Sequence, residues 1–354
     1  MSRYWNNTVK NIKPYVPGEQ PKDRRYIKLN TNENPYPPSG KAIEAIKNAA
    51  NDTLRLYPDP SGDELREAIA AKFDLKKENV FIGNGSDELL AFSFLAFFEP
   101  AGPPVLFAEI TYSFYPVYAN FFHTPYRLIP VDDEFNVAIK GYFQENGGII
   151  IANPNAPSGR GLSLDTIEKI LQHNENSVVI IDEAYIDFGG QSAVCLINRY
   201  PNLLVIRTLS KSHSLAGLRV GYALGSDELI EGIIRVKDSI NSYAVDRLAQ
   251  AGALEAIEDD TYFQETRSKI MQTRERVSAR LKDLGFHVIP SQANFIFVES
   301  RKCPGRVLFQ KLKEKGLLVR YFDKPKIDNF IRVTIGTDEE MNRFLEAIVD
   351  ICEN

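Results

Sequence analysis

Residues 203–225 read LLVIRTLSKSHSLAGLRVGYALG. Two apolar runs, LLVIRT and VGYALG, flank the polar link 209–219. A short continuous apolar run between turn residues is what a strand covered on both faces requires. A link of about a dozen residues is marginal for a parallel crossover, so the second run is expected antiparallel to the first.

Upstream, the same kind of run recurs as VFI at 80–82, PVLFA at 104–108, PYRLIPV at 125–131, GIIIA at 148–152 and SVVIID at 177–182. Amphipathic stretches such as SDELLAFSFLAFF and SLDTIEKILQH separate them. The pattern predicts an α/β domain with a seven-stranded, mostly parallel sheet between helices. After about residue 226 long helices take over to about 283, then FHVIP, ANFIFVES, LLVRYF and FIRVTIG alternate with helices as strands of a smaller α+β domain. The expected organisation is an N-terminal arm over 1–28, a large domain over 29–250 and a small domain over 251–354. Thr337 and Glu340 have capping-box spacing and open the last helix, which is expected to run to Cys352.

Composition narrows the function classes. The chain has 354 residues, 44% hydrophobic and 25% charged, with net charge -5 and no long basic run, which argues against nucleic acid as the main partner. The N-terminal residues lack a signal-peptide pattern and no apolar stretch is long enough to span a bilayer, so a cytoplasmic location is expected. Cys195, Cys303 and Cys352 are too scattered for a disulfide framework, and the four histidines lack metal-ligand spacing, so no metal is expected.

Ligands of open α/β sheets bind beyond the carboxyl ends of the strands, where this chain is polar. Gly85, Ser86 and Asp87 follow the first strand and open a helix whose free amides suit a phosphate. Tyr112 follows the second strand and offers a ring for stacking. Asn155 follows the fourth, in a turn fixed by two prolines. Asp182 ends the fifth, where a buried carboxylate calls for a cation such as a protonated pyridine nitrogen, and Tyr185 lies three residues on. Lys211, among hydroxyls and eight residues before Arg219, reads as a Schiff-base lysine beside a bound phosphate. Pyridoxal phosphate carries both the aldehyde and the phosphate that this arrangement calls for.

The ordered set Gly85-Ser86, Tyr112, Asn155, Asp182, Tyr185, Lys211 and Arg219 resembles the fold type I pyridoxal-phosphate aminotransferases, over nearly the whole chain. The separation of Asp182 and Lys211, 211 − 182 = 29 residues, fits that family. The resemblance implies that Lys211 holds the cofactor, Asp182 pairs with its ring nitrogen, and Asn155 and Tyr185 hold its ring oxygen. Gly85, Ser86, Thr208, Ser210 and Arg219 would surround the phosphate, with Tyr112 on the ring and Asp87 also binding the cofactor. Departures from the family pattern fall at Ala156, Ser158 and His213, and none removes a catalytic group. His213 is expected to pack rather than relay protons.

Leu29-Asn-Thr-Asn32-Glu33-Asn34-Pro35, Leu56-Tyr57-Pro58-Asp59, Val319-Arg320-Tyr321 and Ile331-Arg332-Val333 resemble the histidinol-phosphate aminotransferase family. That resemblance implies histidine biosynthesis, substrate contacts from Tyr15, Asn32, Asn34, Arg320 and Arg332, and a homodimer in which Tyr57 reaches the neighbouring subunit's cofactor phosphate. Arg332 would take the carboxylate of glutamate or 2-oxoglutarate, and Arg320 the substrate phosphate. Alternatives on the same frame are a threonine-phosphate decarboxylase and an aromatic amino-acid aminotransferase; a non-catalytic cofactor-binding regulator is a third, from another class.

Overall fold

The computed structural model describes residues 2–353. In chain order the first half holds α1 (Asn7–Asn11), β1 (Ile27–Lys28), α2 (Gly40–Ala49), α3 (Asp63–Lys72), β2 (Val80–Gly83), α4 (Gly85–Phe97), β3 (Val105–Ala108), α5 (Tyr115–Phe121), β4 (Tyr126–Ile129), β5 (Gly148–Ala152) and α6 (Leu164–His173). There follow β6 (Val179–Asp182), β7 (Leu203–Thr208), β8 (Gly221–Gly225), α7 (Asp227–Ile240), α8 (Arg247–Glu258) and α9 (Asp260–Asp283). The chain closes with β9 (Phe286–Ile289), β10 (Phe295–Ser300), α10 (Gly305–Glu314), β11 (Leu317–Leu318), β12 (Arg320–Tyr321), β13 (Phe330–Thr334) and α11 (Asp338–Glu353).

The seven expected strands form one sheet in the order β2-β8-β7-β6-β5-β3-β4. All neighbours are parallel except β2–β8 and β7–β8, so β8 is the antiparallel strand the short 209–219 link calls for. Successive side chains of a strand go to opposite faces. Ile149 and Ile151 therefore join α3, α6 and α8 on one face, while Ile150 and Ala152 join α4, α5 and α7 on the other. Burying one such isoleucine contributes about 1.5–3 kcal/mol, which is why these strands read as unbroken apolar runs. The register sets Ala152 beside Asp182 and Asp182 beside Ile206, so the polar ends of β5, β6 and β7 finish at one level.

The smaller sheet is antiparallel, in the order β12-β13-β10-β9, and shares a core with α9, α10 and α11. The last helix is capped as expected: the Thr337 amide donates to Glu340 at 2.8 Å and the Glu340 amide to Thr337 Oγ1 at 3.3 Å.

Two expectations change. The run LLVRYF is not one strand: Leu317–Leu318 pairs in parallel with Ile27–Lys28, whereas Arg320–Tyr321 pairs with β13. Switching partners at Val319 brings the start of the chain alongside the small domain. The arm holds α1 and ends in β1. A boundary at residue 250 falls inside α8, whose Ala253, Ala256 and Ile257 are buried in the large-sheet core. The change of core comes along α9, where Ile270, Val277 and Leu281 pack with the small sheet.

Candidate active site

A cleft at the carboxyl ends of the large-sheet strands is lined by Ser86, Asp87, Tyr112, Asp182, Tyr185, Thr208, Ser210, Lys211 and Arg219. Tyr15 and Asn32 close it from the N-terminal segment, and Arg320 and Arg332 from the small sheet. Residues spread over more than three hundred positions thus meet in one cavity.

Lys211 follows β7 on a tight turn, and its Nζ donates to the Thr31 carbonyl at 3.2 Å and lies 5.7 Å from the centre of the Tyr185 ring. Its backbone is gripped from below. Asn34 Nδ2 donates to the Lys211 and Ser212 carbonyls at 3.0 and 3.2 Å, and Ser212 Oγ donates to Asp187. Asp187 also takes a short bond from buried Arg207. Burial alone would push the Asp187 carboxyl up, but Arg207 and the Ser212 donor hold it below the ordinary carboxylate value. A lysine on such a base presents its amine without the loop having to order first.

Asp182 is buried at the end of β6. Its Oδ2 accepts from Tyr115 at 2.7 Å and its Oδ1 from the Ala184 amide at 3.2 Å. No lysine or arginine pairs with it among the described residues. Burial pushes the carboxyl up to about 6, with the charge of Asp87 adding to the rise and the two donors opposing it. A buried acid with neutral partners only is a ready site for a cation.

The opposite end of the cleft suits an anion. Ser86 lies in the first turn of α4, a 13-residue helix with free amides at its start. Gly85 has φ +76°, and a Cβ there would stand 2.5 Å from Arg219 Nη2, so only glycine lets the guanidinium approach the helix end. Arg219 itself has φ +56°, a left-handed conformation costly for a side chain of this size. Its Nη2 donates to Asp87 at 3.2 Å, while Tyr112 donates to the other Asp87 oxygen at 2.9 Å. Thr208 donates to Ser210 at 3.0 Å, and both residues line the same cleft as Arg219.

On the small-domain wall, Arg320 donates, among the described residues, only to the carbonyls of Val16 and Pro17, at 3.0 and 3.2 Å. Arg332 donates to the Asn30 carbonyl at 3.0 Å, and its buried Nε has no partner. Burial and then Arg320 pull the Arg332 guanidinium below its ordinary value, against the nearby tyrosines. Neither arginine has a carboxylate partner among the described residues. Asn32, at φ 58°, donates to the Tyr185 hydroxyl at 3.0 Å and accepts from Thr334. Tyr15 stacks on Phe114 with centroids 4.3 Å apart.

Asn34 and Asn155 stand elsewhere than expected. Asn34 supports the lysine loop and does not line the cleft, because its amide is spent on two backbone carbonyls. Asn155 turns its Nδ2 to the Ile110 carbonyl and Ser158 and accepts from Thr111, so it lines a neighbouring apolar cavity instead. Tyr57 is 77% exposed and stacks on Tyr243. His213 is buried against Phe263, with centroids 4.7 Å apart, and does not line the cleft. Sequence reading missed Tyr115 and Thr31. The three-residue spacing from Tyr112 signalled the first, whereas a backbone carbonyl such as that of Thr31 has no sequence signature.

Pyridoxal phosphate fits these residues: an amine for its aldehyde, a cation-seeking buried acid for its ring nitrogen, and a glycine-bordered cradle for its phosphate. A family model described as aminotransferase class I and II matches residues 24–348. The chain belongs to the class I and II aminotransferases, as its fold and site geometry indicate. It is 56% identical to a histidinol-phosphate aminotransferase of Clostridium botulinum over 351 residues, 99% of each chain. The corresponding protein of Clostridium beijerinckii is 54% identical over 354 residues, 100% of this chain and 99% of that one. In three dimensions it is similar to the histidinol-phosphate aminotransferase of Sinorhizobium meliloti in complex with pyridoxal-5'-phosphate, with TM-score 0.90, 24% identity and coverage of 100% of this chain and 98% of that one.

Proposed function

We infer that this chain transfers the amino group between L-histidinol phosphate and 2-oxoglutarate, with pyridoxal phosphate as cofactor, in histidine biosynthesis. The observation that carries the substrate reading is a cleft holding Lys211 and Asp182 at its floor and two arginines without acid partners on its wall. The level of identity to relatives that carry this name supports it further.

When bound, the cofactor supplies an aldehyde that accepts an amine and a protonated ring that draws electrons from the substrate α-carbon. The remaining work belongs to the side chains. Lys211 Nζ would hold the cofactor and, once free, would take the proton from the substrate α-carbon. Asp182 would hold a proton on the ring nitrogen, and Tyr185 with Asn155 would serve the ring oxygen. Asn155 must turn from its present partners to do so. Ser86, Asp87, Thr208, Ser210 and Arg219 border the phosphate, and Tyr112 covers the ring. Arg332 binds the carboxylate of glutamate or 2-oxoglutarate and Arg320 the substrate phosphate, each by charge-assisted bonds. The carbonyls of residues 16 and 17 accept from Arg320 and Tyr15 lines the same cleft, so the arm would help to exclude water from the bound substrate.

The exposed group Leu54, Leu56, Tyr57, Ile240 and Tyr243 supports a homodimer, since an aromatic and aliphatic patch of this kind marks an association surface. Tyr57 would then serve the neighbouring subunit.

The test is glutamate formation from 2-oxoglutarate with histidinol phosphate, run beside carbon dioxide release from threonine phosphate. Amino transfer with the first substrate is expected. Decarboxylation of the second without transfer to 2-oxoglutarate would overturn the reading.

A further inference from the structure

We propose that Tyr115 is a positioning residue that keeps Asp182 ionised under the cofactor's ring nitrogen and thereby sets how strongly that ring withdraws electrons. The inference rests on the reading of Asp182 given above.

Tyr115 opens α5 and is completely buried, with Pro116 in the first turn of that helix. Tyr112 meets its ring edge-on at a centroid distance of 5.7 Å and Phe107 at 5.8 Å. Packed on two sides, the phenol has one place to put its hydroxyl, and that is 2.7 Å from Asp182 Oδ2. The other carboxylate oxygen takes a longer backbone bond from Ala184. Tyr115 is thus the only side chain that donates to Asp182 among the described residues.

A hydrogen bond to a carboxylate stabilises its charged form, and a phenol, more acidic than an aliphatic hydroxyl, is a strong neutral donor. Burial works in the opposite direction, with Asp87 adding its own charge. The ring nitrogen and Asp182 compete for one proton. With the phenol in place the carboxylate is a weaker base and the proton stays on the ring. Without it the proton moves toward Asp182, the ring loses charge, and removal of the substrate α-proton slows. Packing alone gives no reason for a hydroxyl here, since phenylalanine would fill the same space and leave no polar atom to satisfy.

The experiment uses holoenzyme loaded with pyridoxal phosphate labelled with nitrogen-15 in its ring, whose chemical shift separates protonated from unprotonated pyridine. Tyr115→Phe is expected to move the resonance toward the unprotonated position and to lower kcat about tenfold or more, with KM for 2-oxoglutarate within about twofold. A ring-fluorinated tyrosine at 115, a more acidic phenol of nearly the same shape, is expected to move the resonance the other way, and it decides the matter if the phenylalanine variant does not fold. A resonance unchanged in these variants, while Asp182→Asn does move it, overturns the role of Tyr115 and leaves that of Asp182 standing. A resonance that even Asp182→Asn leaves in place overturns both.

Discussion

Arg320 and Arg332 stand directly opposite one another in the antiparallel register of β12 and β13. Like charges at directly opposed positions repel, by an amount comparable to the roughly 0.2–1 kcal/mol of a favourable cross-strand pair. Among the described residues their hydrogen bonds go to backbone carbonyls, aromatic rings lie beside both, and one buried guanidinium nitrogen has no hydrogen-bond partner. The arrangement costs stability in the free protein and is offset when anions arrive.

The two arginines are expected to separate by substrate. Arg332→Gln should lower kcat/KM for 2-oxoglutarate by about 30-fold or more, the effect of truncating one partner of a desolvated charge pair worth about 2 kcal/mol or above. Arg320→Gln should raise KM for histidinol phosphate and leave the glutamate half-reaction nearly intact. Steady-state kinetics with each substrate varied checks this, and thermal melts should show neither variant less stable than wild type.

Lys211→Ala is expected to abolish turnover together with the absorbance of lysine-bound cofactor, while the fold persists, because among the described residues the Lys211 amine donates only to the Thr31 carbonyl and the backbone grip of Asn34 is kept. Circular dichroism and a visible spectrum suffice. Residual turnover would point to another base.

Gly85→Ala should weaken cofactor retention. The added methyl would stand 2.5 Å from Arg219 Nη2, and the residue would keep φ +76°, costing about 1 kcal/mol in strain before the guanidinium has moved. Titration of apoenzyme with cofactor should show a dissociation constant raised about tenfold or more, by displacement of Arg219 from the phosphate.

His213 gives a pH signature unrelated to catalysis. Burial, more than any charge nearby, pushes its imidazole down to about 4 from 6.5, although Asp187 and Asp260 favour the charged form and Lys72 and Arg207 oppose it. Above pH 6.5 the ring is neutral in both folded and unfolded chains. As pH falls toward 4 the unfolded chain takes up a proton that the folded one refuses, so stability is lost across that window, by about 3 kcal/mol at most. His213→Phe should flatten that part of the profile, measured by urea unfolding at several pH values.

Much of this architecture was legible because burial on both faces writes itself into consecutive residues. The runs from Val80 to Gly225 read as strands for that reason, and the length of 209–219 alone foretold that β8 turns back. Polar residues at the ends of those runs marked the cleft, since a charge such as Asp182 at a strand end needs a partner wherever the chain folds. The LLVRYF run shows the limit: a continuous apolar stretch cannot say that its halves pair with different strands.

By itself, then, the sequence determined the sheet, the lysine and the acid, all of which follow from local pattern and the cost of burying polar groups. Tertiary structure decided what depends on where side chains point and which distant segments meet. It turned Asn34 under the lysine loop and Asn155 into the wall, paired Tyr115 with Asp182, and set Arg320 against Arg332. Hydrogen bonds and charge pairs act over about 3 Å between residues tens to hundreds of positions apart, and spacing along the chain does not encode them.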